Sequence, residues 1–230
     1  MSEILFIDKP KGITSFDVIR ILRKKLGVRK MGHGGTLDPL ASGLLIIGIE
    51  KGTKKLNQYL NRKKTYIMDI LLGKKTDTGD LEGKVIEEKK IKEIDIKEIK
   101  KVLKQMEGEI EMEAPIYSAI KVKGKPLYKY ARAGEKIKPP KRKVTIFHLK
   151  LLNYKIVIPA KAGIHSPVIP AKAGIHKKEH TLRVEMECEK GTYARSVGEE
   201  IGKRLGYPAT LKDLRRTKIG DIRVEDAKKL

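Results

Sequence analysis

At residues 30–43 the chain reads KMGHGGTLDPLASG, a run with four glycines, one proline and a single acidic residue, Asp38. The apolar stretch LLIIGI follows directly, at residues 44–49. Glycines allow a tightly folded backbone, and Pro39 disfavours helix at Asp38. The run predicts a carboxylate on a shaped loop at the mouth of a buried strand, where catalytic groups concentrate. The alternative is that Asp38 only caps a turn, as Asp beside Pro often does.

Charge is the second informative property of the 230-residue chain. Lys and Arg number 52 against 29 Asp and Glu, a net charge of +23. Such an excess favours a polyanionic partner, nucleic acid first and a membrane surface second. With no Trp and 5% aromatic residues, the chain offers few stacking platforms, so we expect binding mainly to a nucleic-acid backbone. There is no apolar run of about 18 residues and no signal-peptide pattern, so we expect no membrane span.

The number and position of cysteines further limit the kinds of site that the chain can hold. The single cysteine, Cys188, excludes an intrachain disulfide and a multi-cysteine metal site. It alternates with Leu182, Val184 and Met186, a pattern that predicts a buried thiol on the inner face of a strand. We therefore expect a cytoplasmic protein that holds no metal.

The hydrophobic pattern predicts one domain over residues 1–230, of mixed α/β or α+β class and built on a single sheet. The apolar fraction of 40% is enough for a packed core. Helices are predicted at residues 15–26 (after Thr14 or Ser15 and before Gly27), 53–60 (capped by Thr53), 96–106 (started by Asp95, ended at Gly108) and 194–205. Strands are predicted at residues 43–49, 65–72, 143–151 and 181–189.

An internal duplication interrupts this pattern. The sequence VIPAKAGIH at residues 157–165 recurs at residues 168–176, and two copies are too few for a solenoid. Because prolines disfavour sheet pairing, we expect residues 156–178 to be a solvated loop inserted at a strand–strand turn. Its origin, on this hypothesis, is a translated repetitive DNA element. A histidine closes each copy, but no cysteine nearby supports a metal site.

A second unusual segment, at residues 118–143, is rich in Lys and Arg. Tyr117, Tyr128 and Tyr130 lie among or beside these bases. A run of charge is often only a solvated face. The interleaved tyrosines favour a flexible RNA-gripping insertion instead.

Six motifs occur in order along nearly the whole chain: DKPKGITS at 8–15, GHGGTLDPLASG at 32–43, KTY at 64–66, GKKTDTGD at 73–80, APIYSAIK at 114–121 and GTYAR at 191–195, followed by LRR at 214–216. Together they resemble the TruB family of bacterial tRNA pseudouridine-55 synthases, relatives of the dyskerin-type synthases. Gly34 stands where many members carry another residue. The resemblance implies a pseudouridine-synthase-type fold, with a central, mostly antiparallel sheet flanked by helices and loops.

Two departures accompany the resemblance. The repeat at residues 156–178 has no counterpart in the family. The chain also stops near Leu230, where many relatives continue into a carboxy-terminal RNA-binding PUA domain, so we expect no such domain here.

The implied reaction isomerises uridine to pseudouridine and needs neither metal nor organic cofactor. By the resemblance, Asp38 is the catalytic carboxylate, whether it adds to C1′, adds to C6 or removes the C2′ proton. Arg195 is implied as its ion-pair partner, which would keep the carboxylate ionised. Asp80 is implied as the second partner of Arg195, fixing the guanidinium from the other side.

The remaining implied roles concern the RNA. The target uridine must be flipped out of a folded tRNA arm, and Tyr66 is expected to stack on it. His33 would fill the vacated space or steady the RNA, or be only a structural loop histidine. Tyr193 would face the base or pack in the core, and Lys9 would contact the loop backbone or hold Tyr66. Residues expected at the RNA backbone are Lys121, Lys123, Lys125 and Arg132.

Three other functions stay open at this point. The chain could be a non-catalytic basic RNA-binding protein, a guide-dependent dyskerin-type subunit, or a ribosomal or membrane-surface protein. The resemblance to the tRNA pseudouridine synthases implies the T arm of tRNA as the partner, with no membrane and no obligate protein partner. A monomer is the default expectation.

Overall fold

A computed structural model describes residues 3–157 and 178–230. Its helices are α1 (Ser15–Leu26), α2 (Asn57–Leu60), α3 (Ile96–Gln105), α4 (Leu127–Arg132) and α5 (Ala194–Arg204), with 3₁₀ turns at Glu50–Lys55 and Val224–Asp226. Its strands are β1 (Ile4–Lys9), β2 (Met31–His33), β3 (Ser42–Ile49), β4 (Lys64–Leu72), β5 (Lys74–Thr76), β6 (Val85–Glu88), β7 (Gly108–Glu113), β8 (Lys121–Val122), β9 (Lys125–Pro126), β10 (Lys141–Val157), β11 (Glu179–Cys188), β12 (Ala209–Ile219), β13 (Ile222–Arg223) and β14 (Lys228–Lys229).

Over the described residues, ten strands form one large sheet in the order β14-β1-β3-β12-β4-β11-β10-β7, with β13 on β12 and β2 on β3. Most neighbours are antiparallel, and β1–β14 and β3–β12 are parallel. The predicted α+β class and mostly antiparallel central sheet are confirmed. Two short hairpins, β5–β6 and β8–β9, lie outside this sheet.

Strand β3 is buried at all eight positions because both of its faces are covered. Leu45 and Ile47 pack with the apolar face of α1, while Leu44 and Ile46 pack on the opposite side of the sheet. A strand buried on both faces reads as a continuous apolar run, as this one does. The largest core lies farther along the sheet, where α3 and α5 cover β4, β10, β11 and β12.

The predicted ends of α1 are confirmed in detail. Thr14 caps the helix by accepting from the amide of Asp17, and Gly27 ends it with φ of 66°, a left-handed conformation that glycine adopts without strain. The prediction at Thr53 is wrong. Residues Glu50–Lys55 form a 3₁₀ turn, and the Thr53 hydroxyl donates to the carbonyl of Glu50 instead of capping a helix. Strand β12 was not predicted.

Strands β10 and β11 are longer than predicted. Their antiparallel ladder continues to the pair Val157–Glu179, so Ile156 and Val157 belong to β10 and not to an inserted loop. β-branched residues favour the extended ladder despite its exposure. The rest of the predicted insertion, residues 158–177, lies outside the described residues. It joins two antiparallel neighbours, as the prediction of a strand–strand turn requires.

The basic segment at residues 118–143 connects β7 to β10. It contains the β8–β9 hairpin followed directly by α4, with Leu127 fully buried beneath the helix. The segment is therefore partly folded in its own right, where the sequence predicted only a flexible loop.

Candidate active site

The loop that carries Asp38 is fixed by the residues that start α1. The Ser15 hydroxyl donates to the carbonyl of Leu37 over 3.0 Å and accepts from the amide of Leu37 over 2.8 Å. The amide of Gly12 donates to the carbonyl of Pro39 over 2.9 Å. These bonds hold the backbone on both sides of Asp38, whose side chain stays 44% exposed. Asp38 is thus presented on a shaped loop, as the sequence predicted.

Asp38 faces an open cavity of about 620 Å³. The loop after β2, the ends of β4 and β12, the turn after β5, the 118–143 segment and the start of α5 all contribute to its lining. Segments far apart in sequence therefore meet at one site. Among the sequence-predicted residues, those that line it are Asp38, Tyr66, Asp80, Arg132, Tyr193 and Arg195.

Arg195 lies in the first turn of α5, with a side chain only 8% exposed. One terminal nitrogen donates to the carbonyl of Thr78 and the other to that of Tyr117, both over 3.0 Å. The guanidinium lies 3.1 Å from a carboxylate oxygen of Asp38. Backbone carbonyls thus fix the plane of the buried cation before it meets the acid.

Asp80 approaches Arg195 from the other side, with 3.9 Å between its carboxylate and Nε. Its other oxygen accepts from the Thr78 hydroxyl over 2.6 Å and from the amide of Glu82 over 3.1 Å. The structure therefore brings Asp38, Asp80 and Arg195 together, with the guanidinium between the two carboxylates. Asp80, with a side chain 8% exposed, is held and shielded, whereas Asp38 is accessible.

Arg216 supports the floor of the cavity and was not among the predicted site residues. Although charged, it is 1% exposed, and Nε donates to the carbonyl of Leu44 over 2.7 Å. A terminal nitrogen donates to the carbonyl of Gly35 over 3.2 Å, and Tyr66, which lies opposite Arg216 in the β4–β12 ladder, lines the same cavity. Burial raises the pKa of Tyr66, so the ring is neutral near pH 7. Arg216 belongs to the LRR motif at residues 214–216, but its burial at the cavity could be recognised only once β12 was placed in the sheet.

Glycine at position 43 makes this support possible. A Cβ there would lie 2.2 Å from the carbonyl oxygen of Arg216, and the backbone φ is +104°. Only glycine allows β3 and β12 to approach so closely.

Lys64 is a second buried cation at the cavity that sequence reasoning missed. Its ammonium donates to the carbonyls of Leu60 and Arg62, just after α2, over 2.6 and 2.7 Å. Burial, with a contribution from nearby Arg216, lowers its pKa to about 8. Lys64 thus ties the chain entering β4 to the turn whose Leu60 lines the cavity.

Lys9 is buried in the turn before α1. It is 0% exposed, and its ammonium donates to the carbonyls of Pro10 and Ile13, closing the turn before α1. Burial lowers its pKa, and the nearby Asp38 carboxylate opposes that shift. Lys9 therefore stabilises the turn that packs on Pro39 and makes no hydrogen bond to Tyr66 among the described residues.

His33 lies in β2 rather than in a loop, and it does not line the cavity. Its Nδ1 is buried without a hydrogen-bond partner among the described residues. Burial, with the charge of Arg216, lowers its pKa, so the ring is neutral near pH 7. Its predicted contact with the RNA stays a prediction.

Tyr193 is half-buried at the residue before α5 and lines the cavity instead of the core. Of the cations predicted at the RNA backbone, Lys121 and Lys123 are exposed, while Arg132 is exposed at the cavity rim beside Tyr128. Lys125 is engaged with Glu135 over 2.5 Å and lies over the Tyr130 ring. Three of the four predicted cations are therefore directly available to an anion.

No group of three or more His, Cys, Asp or Glu in residues 3–157 and 178–230 is arranged to hold a metal ion. In the same residues no helix is long and apolar enough to cross a membrane.

Comparison with known proteins agrees with this geometry. The model of the "TruB family pseudouridylate synthase (N terminal domain)" matches residues 23–194. The chain belongs to the TruB family of pseudouridylate synthases. The predicted family and enzyme class are thereby confirmed.

The curated relatives carry the name tRNA pseudouridine synthase B. The one from Endomicrobium trichonymphae is 40% identical over 224 residues, covering 97% of this chain and 87% of the relative. The one from Caldicellulosiruptor saccharolyticus is 43% identical over 227 residues, covering 99% of this chain and 70% of the relative.

Among solved structures, a Cbf5-Nop10-Gar1 complex matches with a TM-score of 0.67 and 26% identity, over 99% of this chain and 52% of that chain. An H/ACA RNP bound to a substrate RNA containing 2′-deoxyuridine matches with a TM-score of 0.65 at 24% identity, over 98% of this chain and 50% of that chain, which is a likeness of fold.

Proposed function

We propose that this chain converts the uridine at position 55, in the loop of the tRNA T arm, to pseudouridine. The observation that carries the proposal is the accessible Asp38 carboxylate 3.1 Å from the buried Arg195 guanidinium, which also donates to two backbone carbonyls. Its relatives' name supports tRNA as the substrate. We further propose that the chain works as a monomer in the cytoplasm, without an obligate protein partner.

The reaction breaks the N1–C1′ bond of uridine and forms a C5–C1′ bond after the uracil has rotated. N1 gains a proton and C5 loses one, so the atoms balance without an oxidant or reductant. Asp38 is the only carboxylate of the triad with an open face, and it therefore acts on the nucleoside as nucleophile or proton acceptor. Arg195 orients the Asp38 carboxylate, and Asp80 holds Arg195.

A base inside a folded arm reaches Asp38 only by leaving its stack, which costs a few kcal/mol. Tyr66 and Tyr193 supply aromatic surface in the cavity, and stacking on such a surface contributes about 1–3 kcal/mol per base. Tyr66 lies opposite Arg216 in the β4–β12 ladder, so the strand pairing holds it at the cavity before the base arrives. The cavity thus offsets part of the cost of flipping.

Outside the cavity, the 118–143 segment binds the RNA backbone around the flipped nucleotide. Arg132 and Tyr128 face the cavity, and Lys121 and Lys123 extend the positive surface outward. Phosphate contacts of this kind give affinity that falls as salt rises.

Release of tritium from tRNA labelled at uracil C5 tests the function, because isomerisation frees that hydrogen and simple binding does not. The wild-type chain should release one equivalent per tRNA, and none from a transcript with cytidine at position 55. Asp38→Asn should bind tRNA normally and lose about 10³-fold or more in turnover. Substantial turnover by Asp38→Asn would remove Asp38 from the chemistry.

A guide-dependent function is the second candidate, favoured by the structural likeness to the Cbf5 complex. The same assay separates the two, because a stand-alone enzyme modifies a bare T-arm hairpin with no other protein or RNA present. Turnover that appeared only after a guide RNA was added would favour the second candidate.

A further inference from the structure

Helix α1 presents an exposed strip that the active site does not use. Its buried face, with Val18, Ile19 and Leu22, packs on the core beneath β1 and β3. On the outer face lie Phe16, Arg20 and Lys24, which are exposed; at its edge lies Arg23, which is half-buried and whose Nε has no hydrogen-bond partner among the described residues. We call these four residues the α1 strip. Because residues three or four apart share a helix face, they form one continuous surface.

Phe16 organises the cations of the α1 strip. Although large and apolar, it is 50% exposed. The guanidinium carbons of Arg20 and Arg23 lie 5.6 and 5.8 Å from the centroid of its ring. Cations at this distance are attracted to an aromatic face, so the ring holds both side chains along the helix surface. A phenylalanine ring that stays exposed and orders two arginines indicates a surface that binds an anion.

The charge of α1 is not neutralised by its surroundings. Asp17 is the sole acidic residue in the helix; it pairs with Arg20 over 2.7 Å and also accepts hydrogen bonds from Thr14. Among the described residues, no ion pair involves Arg23, Lys24 or Lys25. Arg29 and Lys30, which follow the helix, are exposed and extend the same positive surface.

The position of α1 relative to the cavity indicates which ligand the strip binds. Its first residue, Ser15, is bonded to the loop that presents Asp38. Helix α1 covers the β1–β3 side of the sheet, whereas the 118–143 segment joins β7 and β10 at the opposite end of the strand order. Since Tyr128 and Arg132 of that segment line the cavity, it meets the loop nucleotides. An RNA hairpin inserted there must carry its stem away across another surface, and α1 is basic.

We propose that the α1 strip binds the phosphates of the RNA stem that carries the target loop. The inference rests on the proposed function, because it takes the substrate to be a stem-loop with one nucleotide in the cavity. Arg20, Arg23 and Lys24 contact neighbouring phosphates from about 6 Å of helix, at the rise of about 1.5 Å per residue. Recognition is by backbone shape and charge, as is usual for double-stranded RNA.

The test compares two triple variants of equal charge on two hairpin substrates. The first variant is Arg20→Gln with Arg23→Gln and Lys24→Gln. The matched control is Lys97→Gln with Lys100→Gln and Lys101→Gln, three exposed lysines on α3. The hairpins share the target loop, and one has a full-length stem while the other has a short, clamped stem.

On the full-length stem, the α1 variant should raise KM about 10-fold with kcat within twofold. The slope of log KM against log salt should fall by about 2 to 3, because each of the three lost phosphate contacts contributes about 0.7–0.9. On the short stem it should behave like the wild type, and the α3 control should stay within twofold on both. Equal behaviour of the two variants, or equal losses on both stems, would overturn the proposal.

A second measurement uses the unmodified chain, so it does not depend on the folding of a variant. Acetylation of Lys24 should slow at least threefold when the full-length hairpin is bound, while Lys100 and Lys101 react as before. Unchanged acetylation of Lys24 would contradict the proposal. A wild-type chain that released no tritium from either hairpin would instead refute the proposed function, so the two failures are distinguishable.

Discussion

The cavity floor and the 118–143 segment are both basic, yet their cations behave in opposite ways. On the floor, Arg195 and Arg216 are buried, and each donates to two backbone carbonyls. On the segment, Lys121 and Lys123 are exposed. A buried cation with fixed acceptors has one position, whereas an exposed one has many. The floor therefore sets geometry, and the segment supplies attraction over distance.

The buried lysines at and near the cavity floor are held at a cost in stability. Burial lowers the pKa values of Lys9 and Lys64, which shows that their charged forms are less well solvated than in water. Backbone carbonyls replace the lost water around each ammonium. Exposed lysines incur no such cost, but their attraction for phosphate is screened by salt.

The largest effect is expected from changing the geometry of the floor without changing its charge. Arg195→Lys should lower kcat about 10²–10³-fold, because an ammonium cannot replace the planar guanidinium that contacts Asp38 and two carbonyls. Single-turnover kinetics measure the change. Arg204→Lys, farther along α5, is the matched control and should keep kcat within twofold. A near-normal kcat in the Arg195→Lys variant would mean that charge alone suffices on the floor.

Neutralising the segment should change binding and leave the chemistry alone. Lys121→Gln with Lys123→Gln should raise KM several-fold at about 100 mM salt, with kcat unchanged, because exposed cations act on phosphates at a distance. The slope of log KM against log salt should fall by about 2. A fall in kcat at saturating tRNA would show that the segment also shapes the cavity, which would break the contrast.

A smaller effect is expected from the pH dependence of stability at Lys64. Its folded-state pKa of about 8 lies below the ordinary value of 10.5. Between these values the unfolded chain binds more protons, so this group makes the free energy of unfolding rise with pH. The stability of the wild type relative to Lys64→Met should therefore grow by on the order of 1 kcal/mol from about pH 7 to 9.5.

Urea unfolding at both pH values measures this difference. Lys63→Met is the control, because Lys63 is exposed and its neighbour Glu187 is 3.2 Å away at the surface. Its difference from the wild type should not change over the same range. A Lys64→Met difference that shrank with pH would reverse the predicted sign.

The smallest effect is expected from deleting the repeat-containing segment between β10 and β11. Joining Val157 to Glu179 through a two-residue Asn-Gly turn removes residues 158–178, and kcat and KM for tRNA should stay within twofold. The reason is that the β10–β11 ladder already pairs Val157 with Glu179, so the ends are held together without the segment. Loss of activity in a variant that still folds would show that the repeat contributes to the enzyme.

Elements with apolar spacing and capping residues could be predicted from the sequence, whereas buried charged residues could not. The ends of α1, the apolar strand β3 and the start of α5 were readable because capping residues and apolar spacing act locally. Strand β12 was not, because its sequence ATLKDLRRTKI alternates poorly and its Arg216 is buried. Lysine and arginine are mostly exposed in proteins, so sequence reasoning had no ground to bury Lys9, Lys64 or Arg216.

The sequence by itself determined the loop chemistry around Asp38, the positive charge and the motifs that identify the family. Only the tertiary structure decided which charges are buried and which meet. Asp38, Asp80 and Arg195 come from three separate segments, and they converge because β12 brings the turn after β5 and the start of α5 to the open end of the sheet. Such convergence depends on long-range strand pairing, and local spacing carries no information about it.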